Sequence, residues 1–359
     1  MVKILNTIIL IIVFIQVICA QPKSSFSISD TLCYLNIPER PENATEGSEF
    51  VAQVTGLSIT DRETAVTREI LSGNVPSFSR KFRSLKISQT VYAKNYELIY
   101  FTACDYMAIG SDQDYLYIPM TPSTAQFLAD KLNCSLPTKK IVDYIFENSE
   151  IKLPPQPIPP SDEMTTIQVF RQHTDSIKQQ ISQLGLDRSA NSILAGHKKD
   201  IIISNKVYSP DRNYKRVVIY GWHLSENNPI QPVYNGHIAM YADYSHGVRL
   251  ISKLAFINGD SIYIDEILKD SNISMLLSNE GVISKPYYPE NKNLTSIGSK
   301  YNNSQIEFLL SQNYPNPFNP ITLINDQLSK NALVDLSIFN LVEEKVATLV
   351  SEEQSAGNY

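Results

Sequence analysis

The run Pro154-Pro-Gln-Pro-Ile-Pro-Pro160 places five prolines in seven positions. Each proline fixes φ and lacks an amide donor, so the run can enter neither a helix interior nor a central strand and must lie as extended, polyproline-like chain. It reads either as a linker between two domains or as a rigid strap, residues 153–160, across the surface of one. The stretch beyond it is short for a complete enzyme, which brings the strap level with the linker.

The remainder has the composition of an ordinary globular protein. Of 359 residues, 43% are hydrophobic and 19% charged, enough for a sizeable core and too apolar for disorder. The formal net charge of -6 excludes the broad basic face that nucleic-acid binding requires. The 20 tyrosines suit contact with sugars or peptides, or else serve as strand filler.

Lys3 and the apolar run 8–15, leading to Val17-Ile-Cys-Ala20, read as a secretory signal over residues 1–20, cleaved after Ala20. The run is too short for a stable membrane span. Ile18, where a lipobox has a small residue, argues against lipidation of Cys19. Cys33, Cys104 and Cys134 remain, an odd number that builds no disulfide framework.

After an N-terminal extension (21–57), residues 58–285 read as an α+β main domain. The spacing predicts a helix over 61–71, capped by Thr60 or Asp61 and stopped by Gly73, then a strand over 92–103. Thr121-Pro122 and Thr138 open a helix pair within 121–151, and an apolar stripe from Ile167 to Leu184 makes a helix that Gly185 ends. Strands follow over 200–207 and 215–220. A hairpin joins 249–257 to 260–268, because Asn258-Gly259 supplies the two positive φ angles of a type I′ turn. Residues 269–308 turn polar and read as a tether, with the linker itself over 286–308 and the sequon Asn293-Leu-Thr295 in it.

Leu310-Ser-Gln-Asn-Tyr-Pro-Asn-Pro-Phe-Asn-Pro-Ile-Thr322 is the most specific motif. With Val334-Asp-Leu-Ser-Ile-Phe-Asn340, Val346-Ala-Thr-Leu-Val350 and Ala356-Gly-Asn-Tyr359, it resembles the type A C-terminal sorting domain of the Bacteroidetes type IX secretion system. The resemblance implies a small β-sandwich over 309–359, export through the outer-membrane secretion machinery, and a secreted or cell-surface location. The copy departs from the pattern at Val342-Glu-Glu344 and after Leu328, and it ends at Tyr359 where further strands are expected, so inefficient sorting is expected. The fold class is therefore α+β: a mixed helix/sheet main domain followed by a small truncated β-sandwich.

All five histidines and the single tryptophan fall between residues 173 and 246. Gly196-His-Lys-Lys-Asp200, Tyr220-Gly-Trp-His223 and Asp243-Tyr-Ser-His-Gly247 look like motifs of an uncharacterised group of secreted bacterial proteins, a resemblance that implies no known activity. Ser245-His-Gly-Val-Arg-Leu250 also has a likeness to the Ser-His-Gly-Cys-x-Arg motif of L,D-transpeptidases, but the cysteine is absent and Arg249 comes one residue early.

Three readings of this constellation stand. His223, His237, Asp243 and His246 offer the ligand set of a catalytic zinc, although their spacing matches no signature. Alternatively His246 or His223 is a base, Asp243 or Asp105 orients it, and Lys198, Lys199 or Arg249 stabilises an oxyanion. In the third, the imidazoles are satisfied core groups or part of a binding surface, Lys198 to Asp200 are a solvated turn, His173 is a half-buried helix residue, and Cys104 is a structural thiol. Trp222 and Tyr244 are candidates to stack on a sugar. The expected function is an exported hydrolase acting on an extracellular polymer, cell-wall peptide/glycan or polysaccharide; a non-catalytic surface binding or adhesion protein is the alternative.

Overall fold

The computed structural model describes residues 32–186, 191–289, 308–310, 322, 324, 326–328, 331–339, 345–355 and 357–359. The signal segment 1–20, most of the motif 310–322 and the sequon at Asn293 lie outside these. The chain divides into two compact units, Ser27–Gly298 and a C-terminal one containing Ser299–Tyr359. Helices and sheets mix in the first and the second is β among its described residues, the expected α+β class.

The first unit is organised by two sheets. In the larger, the order is Leu32–Tyr34, Lys81–Val91, Lys94–Ala103, Ile251–Ser252, Cys134–Ser135, all antiparallel, and the hairpin Leu254–Ile257/Asp260–Tyr263 also pairs with Lys94–Ala103. The expected strand 92–103 is thus the second arm of a hairpin. Tyr92 (φ 48°) and Ala93 (φ 64°) make its turn, without the Gly or Asn that announces one. Asn258 (φ 53°) and Gly259 (φ 95°) turn as expected, but the arm after them ends at Tyr263. Ile264, Ile267 and Leu268 share one face of the helix Ile264–Lys269, and Glu266 accepts from the Tyr263 amide, so helical period wins there.

The helices Ile59–Leu71, Pro122–Lys131, Lys139–Asn148 and Ile167–Gln183 follow their predicted stripes. Thr121, Thr138 and Thr166 cap the last three through their hydroxyls. The first is capped by Ser58 rather than Thr60 or Asp61, which starts it two residues early. Phe78, Tyr106, Tyr115, Tyr117, Ile177 and Ile181 belong to one buried cluster, so many tyrosines are strand filler.

The proline run lies within the first unit and is a strap. Before it, Ile151–Lys152 pairs with Leu194–Ala195; along it, Pro154 O accepts from Gln180 Nε2 (3.0 Å), and Ile158 N donates to Tyr244 Oη (2.8 Å). The N-terminal extension also joins this unit, since Leu32–Tyr34 pairs into the sheet and the helix Gly47–Val54 buries Phe50 and Val54. Residues 269–289 are no tether. Ile273, Leu276, Leu277, Ile283 and Tyr288 are buried, and Tyr288 Oη donates to Ile202 O (2.7 Å).

In the second unit, Phe308–Leu310, Asp326–Leu328 and Gly357–Asn358 form one antiparallel sheet, and Ala332–Phe339 pairs with Lys345–Gln354 in another. Asp335 and Ser337 lie two residues apart on one strand, and Ser337 Oγ donates to Asp335. Ser337 is buried, and the pairing with Lys345–Gln354 shifts register beside it. Among the described residues, no helix is long and apolar enough to cross a membrane.

Candidate active site

The smaller sheet carries the histidine motifs. Its order is Asn228–Tyr234, Ile219–Ser225, Lys199–Ile201, His246–Gly247, with the last strand parallel to its neighbour and His246 opposite Lys199. The expected strands 200–207 and 215–220 are displaced. The first shortens to Lys199–Ile201 before a 3₁₀ turn, Asn205–Tyr208, and the second becomes Ile219–Ser225.

Gly196-His-Lys-Lys-Asp200 is not a solvated turn. His197, Lys198 and Asp200 are at most 2% exposed and Lys199 is half-buried. Isolated charges are expensive to bury, so each has a partner or a shifted proton affinity. Lys198 Nζ donates to Tyr244 O (2.6 Å) and lies 3.1 Å from His173 Nδ1; burial pushes its ammonium down to about 7. His173 is fully rather than half-buried, and burial with the nearby Lys198 holds its imidazole well below the usual range. His197 Nε2 stands 3.2 Å from Asp105 Oδ1, off hydrogen-bond alignment. Asp105 also accepts from Tyr117 Oη (2.6 Å) and Tyr106 N (2.7 Å). Asp200 accepts from Tyr106 Oη (2.8 Å), and burial pushes its carboxyl up to about 6. These are interior groups held by one another, and Lys198 and Asp105 have their direct partners within the fold.

A second cluster reaches the surface. Asp243 accepts from Ser245 N (2.8 Å), Ser245 Oγ (2.5 Å) and Tyr241 Oη (3.2 Å), with His246 Nε2 at 3.8 Å. Burial alone would raise its carboxyl, but His246, Lys199 and the Ser245 donors hold it well below the usual range. His246 is fully buried and neither ring nitrogen has a hydrogen-bond partner; burial pushes its imidazole down to about 4, against the pull of Asp243. Half-buried His237 stacks on Tyr241 (centroids 4.0 Å apart, 15° between planes), and Tyr234, 43% exposed, meets His237 edge-on at 5.1 Å. Lys199 Nζ lies 4.8 Å from the centroid of Trp222.

Gly221 (φ 116°) and Trp222 (φ 60°) take left-handed backbone within Ile219–Ser225, between two irregularities of its pairing with Asn228–Tyr234. Left-handed backbone at a bulky residue is strained, the kind of feature that gathers at working sites. Trp222 and Tyr244 are nearly fully buried, and the Tyr244 hydroxyl holds the strap. Neither can stack on a sugar; Tyr234, His237 and Tyr241 are the rings that face outward.

The remaining candidates are dispersed. His223 Nε2 pairs with Asp143 (3.2 Å) and its ring stacks on Phe146 (4.6 Å), while Asp143 also accepts from Tyr220 Oη and Lys139 Nζ. Arg249 donates to Ala103 O and Leu194 O beneath the Tyr106 ring, which makes it an internal clamp rather than an oxyanion donor. Burial pushes the Cys104 thiol up to about 12, the structural reading. A cavity of about 10 Å³ between Tyr106, Asp200, His223 and Arg249 is the size of a single water. Among the described residues, no three His, Cys, Asp or Glu side chains gather as a metal site, so the four expected zinc ligands do not form one constellation.

Asp243, His246, His237 and Lys199 come together as the sequence suggests. Tyr241, Tyr234 and Ser245 were missed as members, although the two tyrosines flank His237 in sequence. In comparisons with family models, curated proteins and solved structures, nothing matches this chain.

Proposed function

We propose that the protein is an exported hydrolase of an extracellular polymer, with Asp243 and His246 as its acid/base pair. The observation that carries this reading is the His246 imidazole. It is neutral at pH 7, both its nitrogens are unpartnered, and the ionised Asp243 beside it can hold the imidazolium that forms when it takes a proton from water or a substrate hydroxyl. Lys199 is the cation beside the pair, and His237 and Tyr241 form the mouth. Export rests on the apolar leader 8–20 and on the C-terminal resemblance, which names the outer-membrane secretion machinery as partner. A second reading, a surface binding protein without turnover, is favoured by the partly exposed row Tyr234, His237, Tyr241.

The test is hydrolysis of peptidoglycan and polysaccharide panels by the full chain. His246→Ala should lower turnover by about 10²–10⁴, the range for one acid/base group, and Asp243→Asn should fall with it. Unchanged turnover in His246→Ala removes it from catalysis. Binding without turnover by the wild type selects the second reading.

A further inference from the structure

Lys199 is a cation without a direct partner: Asp243 acts on it only at longer range, and burial lowers its ammonium from the usual value. Its Nζ sits over the Trp222 face at 4.8 Å, and among the described residues it has neither a hydrogen-bond acceptor nor an ion-pair partner. By contrast, its chain neighbour Lys198 is held by Tyr244 O and His173, and nearby Asp243 already takes three donors. A half-buried ammonium resting on an indole keeps its three N–H donors available to a ligand, and the indole is itself buried on left-handed backbone at Trp222.

The rest of the mouth narrows the ligand. The row from Tyr234 through His237 to Tyr241 presents ring surface of the kind that takes the C–H face of a pyranose. Burial lowers both His237 and His246, so neither adds a charge at neutral pH; Lys198 and Lys199 both feel Asp243, and of the two only Lys199 lacks a direct partner. One free cation beside a fixed carboxylate matches a single negative charge. A phosphate dianion would leave the mouth strongly negative, and Arg249, three residues after His246, is bound internally rather than offered as a fork.

From the unpartnered Lys199 ammonium beside this aromatic row, we propose that the site takes a sugar carrying a free carboxylate, a uronic-acid polysaccharide, with Lys199 binding the carboxylate. The proposal rests on the polymer-directed reading above but does not require turnover.

Calorimetric binding of trigalacturonate and of its neutral methyl ester to the full chain tests it, with cleavage followed in parallel. The acid should bind at least about tenfold tighter than the ester, the scale of one charge-assisted hydrogen bond, and added salt should narrow the gap. Lys199→Met should abolish the preference, Lys199→Arg should retain most of it, and Lys94→Met on the other sheet should change nothing. Melting temperatures check that each variant folds. Equal affinity for acid and ester, an unaltered preference in Lys199→Met, or no binding of either probe overturns the proposal. If the wild type prefers the acid but cleaves neither probe, hydrolysis fails while uronate recognition stands.

Discussion

Burying His246, Lys198 and Asp200 ties stability to pH in opposing directions. Folded His246 titrates at about 4 and an unfolded histidine near 6.5, so between these values the unfolded chain binds more protons and stability falls with pH. His173 and His197, also lowered by burial, act in the same sense. Asp200, raised to about 6, acts oppositely between about 6 and 4, since the folded form then holds the extra proton; Glu63, also raised by burial, acts with it, but four histidines, His237 included, stand against these two carboxyls. Melting temperature should therefore drop between pH 6.5 and 4.5, and His246→Gln should make that drop shallower. On the alkaline side Lys198, lowered to about 7, makes stability rise from pH 7 toward 10, a rise that Lys198→Met should flatten. The crowding of histidines into 173–246 was legible without coordinates. That Lys198 and Asp200 are buried was not, because a run of charged residues ordinarily marks a solvated turn.

Two hairpins show what local chemistry does and does not disclose. Asn258-Gly259 states its turn outright, whereas Tyr92-Ala93 adopts the same positive φ angles against its residues' preference, held by the ten-pair ladder between Lys81–Val91 and Lys94–Ala103. Replacing Ala93 (φ 64°) by Gly should stabilise the protein by roughly 1 kcal/mol, read as a higher urea midpoint at constant m. The edge strand Asn228–Tyr234 carries Pro229 and Pro232, which withhold amides and blunt its pairing with other chains. That leaves side chains such as Tyr234, rather than the strand backbone, as the means of recognition beside the site.

Over the whole molecule, the strap crosses the back of the site through Tyr244, whose hydroxyl meets both Ile158 N (2.8 Å) and Ile158 O (3.2 Å) while its carbonyl holds Lys198. Tyr244→Phe should cost about 1–2 kcal/mol through those lost bonds and speed proteolysis within 154–160, measured by limited digestion. The sequence by itself determined the helices with their caps, the extended proline run, the Asn-Gly turn and the mixed class, because periodicity, φ restriction and capping act over a few residues. The tertiary structure decided that the run is a strap, that 269–289 packs into the domain, that His223 and Arg249 serve the interior, and that Lys199 and Tyr241 join Asp243 and His246. Those outcomes depend on burial and on pairings between distant segments, such as Lys199 opposite His246, and no local pattern encodes them.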